Sequence, residues 1–314
     1  MDKIDRKILY ELDKNSRQPI TILAKKVRLN RNTAEYRLNQ LVEKGVIKQF
    51  VTLFNPLVFN NQLYKIYLQL QNIDDKKEKE ILQYLQSLPL YWLAKCYGRW
   101  DYMVGIRADS PTEFNKIKLD ILSRLEEHIV NKNITLMVNA PFFDRDYLVE
   151  NETHYRMRHF VTGLSATLDE TDKNILRLLS TDSRMSSMEI SAKVKLSLKT
   201  TIQRIRRLEK EKVIVGYKIS LDLEKTGYLF MKAFISLKNI SEKDHKRFIS
   251  YCMSVPNLIH LVECLGEWDF EPEFEVANEQ QFYVILKDMR NEFSKIIKTI
   301  DVVTIVKEYE YKAY

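Results

Sequence analysis

Glycine and proline are scarce, seven of each in 314 residues, and cysteine is scarcer still at three. So few glycines and prolines exclude a collagen-like or low-complexity chain and leave little room for long flexible loops, so regular structure should dominate. Cys96, Cys252 and Cys264 form no even framework and no C-x-x-C pair, which argues against a secreted disulfide scaffold and against structural zinc. No apolar run reaches 18 residues, and the N-terminus enters a charged amphipathic pattern without an apolar signal core. A soluble, cytoplasmic protein with no membrane contact is therefore expected. Paired carboxylates, a nucleophile elbow, metal-ligand spacing and a phosphate loop are also missing, so neither catalysis nor a cofactor is implied.

What is present is the same unit twice. Residues 1–50 and 168–217 align without a gap at an offset of 167: Asp2 with Asp169, Asp5 with Asp172, Ile8-Leu9 with Ile175-Leu176, Ser16-Arg17 with Ser183-Arg184, and Val46-Ile47 with Val213-Ile214. Asn72-Ile73 pairs with Asn239-Ile240 at the same offset. Past Pro89 and Pro256, one inserted residue brings Cys96, Gly98 and Trp100-Asp101 onto Cys264, Gly266 and Trp268-Asp269. A period this long is a duplicated two-module unit rather than a solenoid. The boundaries expected are 1–53, 54–150, a connector over 151–167, 168–218 and 219–314.

Charge separates the modules. The whole chain carries +7, yet residues 1–53 hold 12 Lys/Arg against 6 Asp/Glu and residues 168–218 hold 12 against 7, whereas 219–314 is acidic at 12 against 16. Cations concentrated in two short modules point to a polyanion partner. In each, Asp2 or Asp169 can cap a helix with apolar residues at helical spacing (Ile4, Ile8, Leu9, Leu12; Leu168, Ile175, Leu176, Leu179). A second helix is expected near 19–27 and 186–194, a short turn at Arg28-Leu29-Asn30 or Lys195-Leu196-Ser197, and a third helix over 31–44 and 198–211. This is a helix-turn-helix order.

The third helix points to function. Ala34, Leu38, Leu41 and Val42 share one face, leaving Asn32, Tyr36, Asn39, Gln40 and Glu43 outward and Thr33 near the edge. In the second copy Lys199, Thr200, Gln203, Arg206, Arg207 and Lys210 point outward. Amide and hydroxyl groups near the helix start suit base edges, and cations behind them suit phosphates. Double-stranded DNA is the expected partner. Arg37 and Arg204 flank the core face, where an internal ion pair and a phosphate contact are both open to them. Val46-Ile47, Phe50-Val51 and their counterparts suggest a short strand or wing leading away from the DNA module.

The second modules read as β-α-β-β-α-β. Tyr64, Ile66, Leu68 and Leu70 alternate as a half-buried strand, as do Met231, Ala233, Ile235 and Leu237. Helices carry Ile81, Leu82, Leu85 and Leu88, or Phe248, Ile249, Cys252 and Val255. Two strands hinge at Gly98 or Gly266, and a further helix and strand follow. The fold class is then α+β, with two winged helix-turn-helix modules and two ferredoxin-like βαββαβ sandwich modules in tandem. Each sheet has a bare face, which the other copy could cover.

The helix-turn-helix ending in Gly45-Val46-Ile47 or Lys212-Val213-Ile214, followed by G-x-W-D (Gly98-Arg99-Trp100-Asp101; Gly266-Glu267-Trp268-Asp269), resembles the Lrp/AsnC "feast/famine" transcription regulators over essentially both halves. The resemblance implies sensing modules that pair sheet to sheet, often assemble further as homo-oligomers, and bind small molecules, commonly amino acids, near the glycine-aspartate hairpin. Carried over, it singles out Gly98, Asp101, Gly266 and Asp269 as effector-binding; glycine and aspartate equally suit a tight hairpin. Glu271, Pro272, Glu273 and Glu275 stand where a central strand belongs, where proline removes a ladder hydrogen bond and glutamates share a face. The two sensing modules are thus not expected to share a ligand, and the acidic strand suits a cation, a basic partner or no ligand. One rival reading is an effector-binding scaffold without DNA contact; the rival from another class is a siroheme decarboxylase, a similar protein that needs histidines and cations around a tetrapyrrole. Here His128, His154, His159, His245 and His260 are scattered, and His154 and His159 fall in the connector.

Overall fold

The computed structural model describes residues 1–59, 61–149, 166–238 and 241–311. In chain order these form α1 (Lys3–Lys14), α2 (Ile20–Lys26), α3 (Arg31–Glu43), β1 (Ile47–Phe54), β2 (Gln62–Leu70), α4 (Asp75–Gln86), β3 (Leu90–Gly98), β4 (Tyr102–Ala108), α5 (Pro111–Arg124) and β5 (Ile129–Asn139). The second copy gives α6 (Glu170–Thr181), α7 (Ser187–Val194), α8 (Leu198–Lys210), β6 (Ile214–Leu221), α9 (Leu223–Thr226), β7 (Leu229–Leu237), α10 (Glu242–Met253), β8 (Leu258–Leu265), β9 (Phe270–Val276), α11 (Glu279–Glu292) and β10 (Ile297–Tyr311). Asn239-Ile240, His154 and His159 lie outside the described residues.

The chain divides across its repeats rather than between them. Of the described residues, one compact unit gathers those within Met1–Val58 and Phe143–Tyr228, and the other those within Phe59–Phe142 and Leu229–Lys312. Each copy therefore gives its helical module to one unit and its sheet module to the other.

In the helical unit, α1 and α6 begin at capping boxes. The Asp2 carboxylate accepts from the Asp5 amide and the Asp5 side chain accepts from the Asp2 amide; Asp169 and Asp172 repeat this. Such a cap satisfies two amide donors that the helix leaves unpaired. Asp2→Ala should cost about 1 kcal/mol, read from denaturant unfolding. The strand suggested as a wing does not stand alone: β1 pairs antiparallel with its twin β6, from Ile47↔Leu221 to Phe54↔Ile214. A lone strand would leave its backbone groups unpaired, and the twin supplies the partners. Ile219 and Leu221 of β6 then pack into the core formed by Ile8, Leu9, Leu12, Leu23, Leu38 and Leu41, so the second copy completes the first copy's core.

In the sheet unit both modules show the expected βαββαβ order, but they do more than stack face to face. Their edges join, giving a closed barrel in the order β10-β3-β4-β2-β5-β8-β9-β7. The long last strand of each module makes the seam: β10 pairs with β3 and β5 pairs with β8. Closure removes the exposed edges that two open sheets would present. The glycines at the hairpins let those strands pass. Gly98 sits at φ +132°, and a Cβ there would lie 3.1 Å from the Val302 carbonyl; a Cβ on Gly266 would lie 2.7 Å from Thr135 Cγ2. Proline acts as its chemistry requires. The ladder between β7 and β9 lapses between Lys232↔Glu273 and Ile235↔Phe270, opposite Pro272.

Candidate functional site

The third helices α3 and α8 start at Asn30 and Ser197, whose side chains accept from the amides of Thr33 and Thr200. Ala34, Leu38 and Leu41 are buried on α3, as are Thr201, Ile205 and Leu208 on α8. Asn32 and Tyr36 are consequently exposed, Thr33 and Gln40 half-buried, and on α8 Lys199, Gln203, Arg206 and Arg207 are exposed with Thr200 at the edge. Tyr36 is 65% exposed, unusual for an aromatic ring with a nearby core to join. Gln40 Nε2 donates to Glu43 at 2.9 Å, and the Thr200 hydroxyl lies 2.8 Å from that of Ser197.

Arg37 and Arg204, left open by sequence, turn inward. Arg37 Nη1 bonds Asp2 and Asp5 at 2.8 Å each, and Arg204 Nη1 bonds Asp169 at 2.7 Å and Asp172 at 2.8 Å. The Asp5 amide and then Arg37 hold the Asp2 carboxyl below the usual range, and the Asp172 amide and Arg204 do the same for Asp169. These arginines tie the third helix to the cap of the first. Arg207 also bonds Asp172 and approaches Glu211 at 3.8 Å. Lys199, Arg206 and Lys210 remain exposed on α8 with no ion pair among the described residues.

In the sequence, Ser16-Arg17 and Ser183-Arg184 show only as an identity between the repeats; the structure gives them a role. The Ser16 and Ser183 hydroxyls meet at 2.6 Å across a pseudo-twofold axis. Arg17 Nη1 donates to the carbonyls of Ser183 and Met185 at 2.6 and 2.7 Å, while Arg184 Nη1 donates to those of Ser16 and Gln18 at 2.6 and 3.2 Å. The identical dipeptide was the available signal. It clasps one reading module to the other.

In the sheet unit the hairpin aspartates have structural work. Asp101 Oδ2 accepts from the Leu70 amide at 2.7 Å and Asp269 Oδ2 from the Leu237 amide at 2.6 Å, tying each hairpin to the neighbouring strand. The hairpins also meet. Arg99 bonds Glu267 and Asp301 at 2.8 Å each, and Asn133 Nδ2 donates to Glu267. The acidic strand has its basic partners within the chain: Glu271 bonds Lys65 at 2.7 Å and Lys232 at 2.9 Å, and Glu273 bonds Lys232 at 2.7 Å and His260 at 3.0 Å. Tyr67 and Trp268 also donate to Glu271, and both ammonium groups lie over the Trp92 ring. Burial opposes ionisation of both carboxyls. Lys232 and Lys65 outweigh it at Glu271, and Lys232 and His260 at Glu273, holding both well below the usual carboxylate range. Among the described residues no group of three or more His, Cys, Asp or Glu is placed to hold a metal ion.

Comparison with known proteins follows the same division. A model described as winged helix-turn-helix DNA-binding matches residues 1–48, and the AsnC-type helix-turn-helix domain matches residues 168–209. The chain is 30% identical over 139 residues to an HTH-type transcriptional regulator of Pyrococcus horikoshii, covering 44% of this chain and 91% of that protein. It is 35% identical over 106 residues to the Bkd operon transcriptional regulator of Pseudomonas aeruginosa, covering 33% of this chain and 69% of that one. Among solved structures, the siroheme decarboxylase NirDL superimposes with a TM-score of 0.65 over 99% of this chain and 94% of its own, at 11% identity. At that identity the likeness shows a shared fold only. No helix among the described residues is long and apolar enough to cross a membrane.

Proposed function

Since the chain belongs to the Lrp/AsnC family of DNA-binding transcriptional regulators, we propose that it acts as a single-chain pseudo-dimer reading two dissimilar half-sites through α3 and α8. The supporting observation is the Ser-Arg clasp, which holds two different recognition helices in one unit. Asn32, Thr33, Tyr36 and Gln40 face one half-site, with Lys199, Thr200, Gln203, Arg206 and Arg207 on the other. Arg37 and Arg204 contribute by fixing helix orientation. Footprinting on selected genomic fragments should reveal an imperfect palindrome with half-site centres a whole number of turns apart, roughly 34 Å per turn. Identical half-sites would count against the proposal.

The effector is proposed to bind at the paired hairpins, near Gly98, Asp101, Gly266 and Asp269. Arg99 and Glu267 present there the two charge signs that a zwitterionic amino acid needs. An effector that fits one arrangement better would shift DNA affinity or homo-oligomer assembly by that difference. Titration of DNA binding with individual amino acids tests this; no response to any amino acid would remove that ligand class.

The NirDL fold favours a second reading, tetrapyrrole decarboxylation. The described histidines do not converge on one site: His128 lies beside the Gln71 carbonyl, His245 on Glu263 and His260 on Glu273. Incubation with an iron tetrapyrrole is expected to leave its absorbance unchanged, and a shifted Soret band would favour the enzyme.

A further inference from the structure

The two copies differ where they touch, and the differences are charges. Inside the barrel, Lys65 and Lys232 are twins, but the carboxylates that neutralise them come from the second copy alone. The first copy has Met103 and Gly105 where the second has Glu271 and Glu273. At the hairpins, Arg99 and Asn133 of the first copy stand where the second has Glu267 and Asp301. The helical unit, taken by itself, has the same asymmetry. Asp13 of α1, fully buried, receives Arg145 at 2.5 Å and Lys218 of β6 at 2.7 Å, while the twin positions of Asp13 and Lys218 hold Ser180 and Val51.

We propose that these contacts form a pairing code that admits only a first copy against a second. Two first copies would bring together both Lys65 and both Arg99 side chains with no carboxylate at either place, and each Asp13 would keep Arg145 but lose Lys218 to Val51. Two second copies would bring four buried glutamates onto two Lys232 side chains, oppose Glu267 and Asp301 with their own kind, and set each Lys218 against Ser180. Only the mixed pair sets the ammonium groups of Lys65 and Lys232 against the carboxylates of Glu271 and Glu273. Like charges brought together at a contact select against the wrong partner more strongly than matched ones add affinity. A buried charge left without its partner is costlier still. The surface therefore takes the chain's own other half as partner and refuses a second copy of the same half.

The inference does not depend on DNA binding, and its test uses no DNA. The seams pair Leu136 with Leu265 and, at the twin place, Thr304 with Tyr97. In the full-length chain, Leu136→Cys with Leu265→Cys should therefore oxidise within one chain. Leu136→Cys with Tyr97→Cys can bridge only when the first copies of two chains pair, because β3 and β5 are separated in the barrel by β4 and β2. With the charges intact, this second variant should remain monomeric on a non-reducing gel at high protein concentration. Neutralising Lys65, Lys232, Glu271 and Glu273 together to methionine should raise its covalent dimer about tenfold. Arg99→Gln with Glu267→Gln lies at the surface and should raise it in the same direction by less, so a folding failure of the core variant leaves the test standing. Ready dimer bridging with charges intact, or no rise in either neutralised variant, would overturn the code and leave the covalent linkage as the cause of pairing.

Discussion

Glu271→Met, which places the first copy's residue in the second, should lower the unfolding free energy by about 3–5 kcal/mol and the melting temperature by on the order of 10 °C. The side chain is fully buried, and its loss leaves Lys65 without its carboxylate and Lys232 with Glu273 alone. The Tyr67 hydroxyl and Trp268 Nε1 lose their acceptor at the same time. A buried ion pair adds little over a well-packed apolar group, whereas half of one is costly, so removing all four charges together should destabilise less than removing Glu271 alone. A fourfold variant weaker than the single one would refute this account. The same cluster sets an acid limit. Both glutamates are held below their ordinary values in the folded state, so the unfolded chain binds more protons as pH falls. Their contribution is complete above about pH 5 and is lost as pH drops through and below the carboxylate range near 4.3. Melting curves should show that loss in the wild type and a shallower one in the fourfold variant.

Much of this fold was legible because duplication gives two independent readings of one pattern. The apolar spacing of Ile8, Leu9 and Leu12 and of Ile175, Leu176 and Leu179 marks the same helix twice, and both occupy buried faces. Local signals carried their own chemistry: Asp2 and Asp169 cap, Gly98 turns, and Pro272 interrupts a ladder. What could not be read is which copy each module pairs with, since edge pairing of β5 with β8 and β10 with β3 leaves no periodic trace in either strand. The glutamates of β9 therefore read as suited to a cation, a basic partner or no ligand, because Lys65 lies 206 residues away in sequence from Glu271. Arg37 and Arg204 were ambiguous for a related reason: their helical position lies between two faces, and only the Asp2 and Asp169 caps on another helix settle their direction. For the recognition face, the sequence fixes which residues can point outward but not which cations an internal carboxylate already holds.

That last point sharpens the DNA prediction. The two recognition helices are unequal: α3 carries Arg31 and Arg37 against Glu35 and Glu43, whereas α8 carries Lys199, Arg204, Arg206, Arg207 and Lys210 against Glu209. With Arg204 and Arg207 engaged by Asp169 and Asp172, the exposed cations of α8 without an ion pair among the described residues are Lys199, Arg206 and Lys210. Each phosphate contact adds about 0.9 to the slope of log affinity against log salt. Lys199→Ala with Arg206→Ala should therefore flatten that slope by about two. Arg207→Ala should change it by less than one, because Asp172 competes with phosphate for the same guanidinium. Asn32→Ala with Tyr36→Ala should leave the slope nearly unchanged while weakening binding to the first half-site by about tenfold or more and relaxing its base preference. Salt titrations of the three variants on one operator separate these outcomes. An unchanged slope in the Lys199/Arg206 variant would mean that α8 does not lie against phosphates, and the second copy would then serve the first as a structural partner rather than as a reader of DNA.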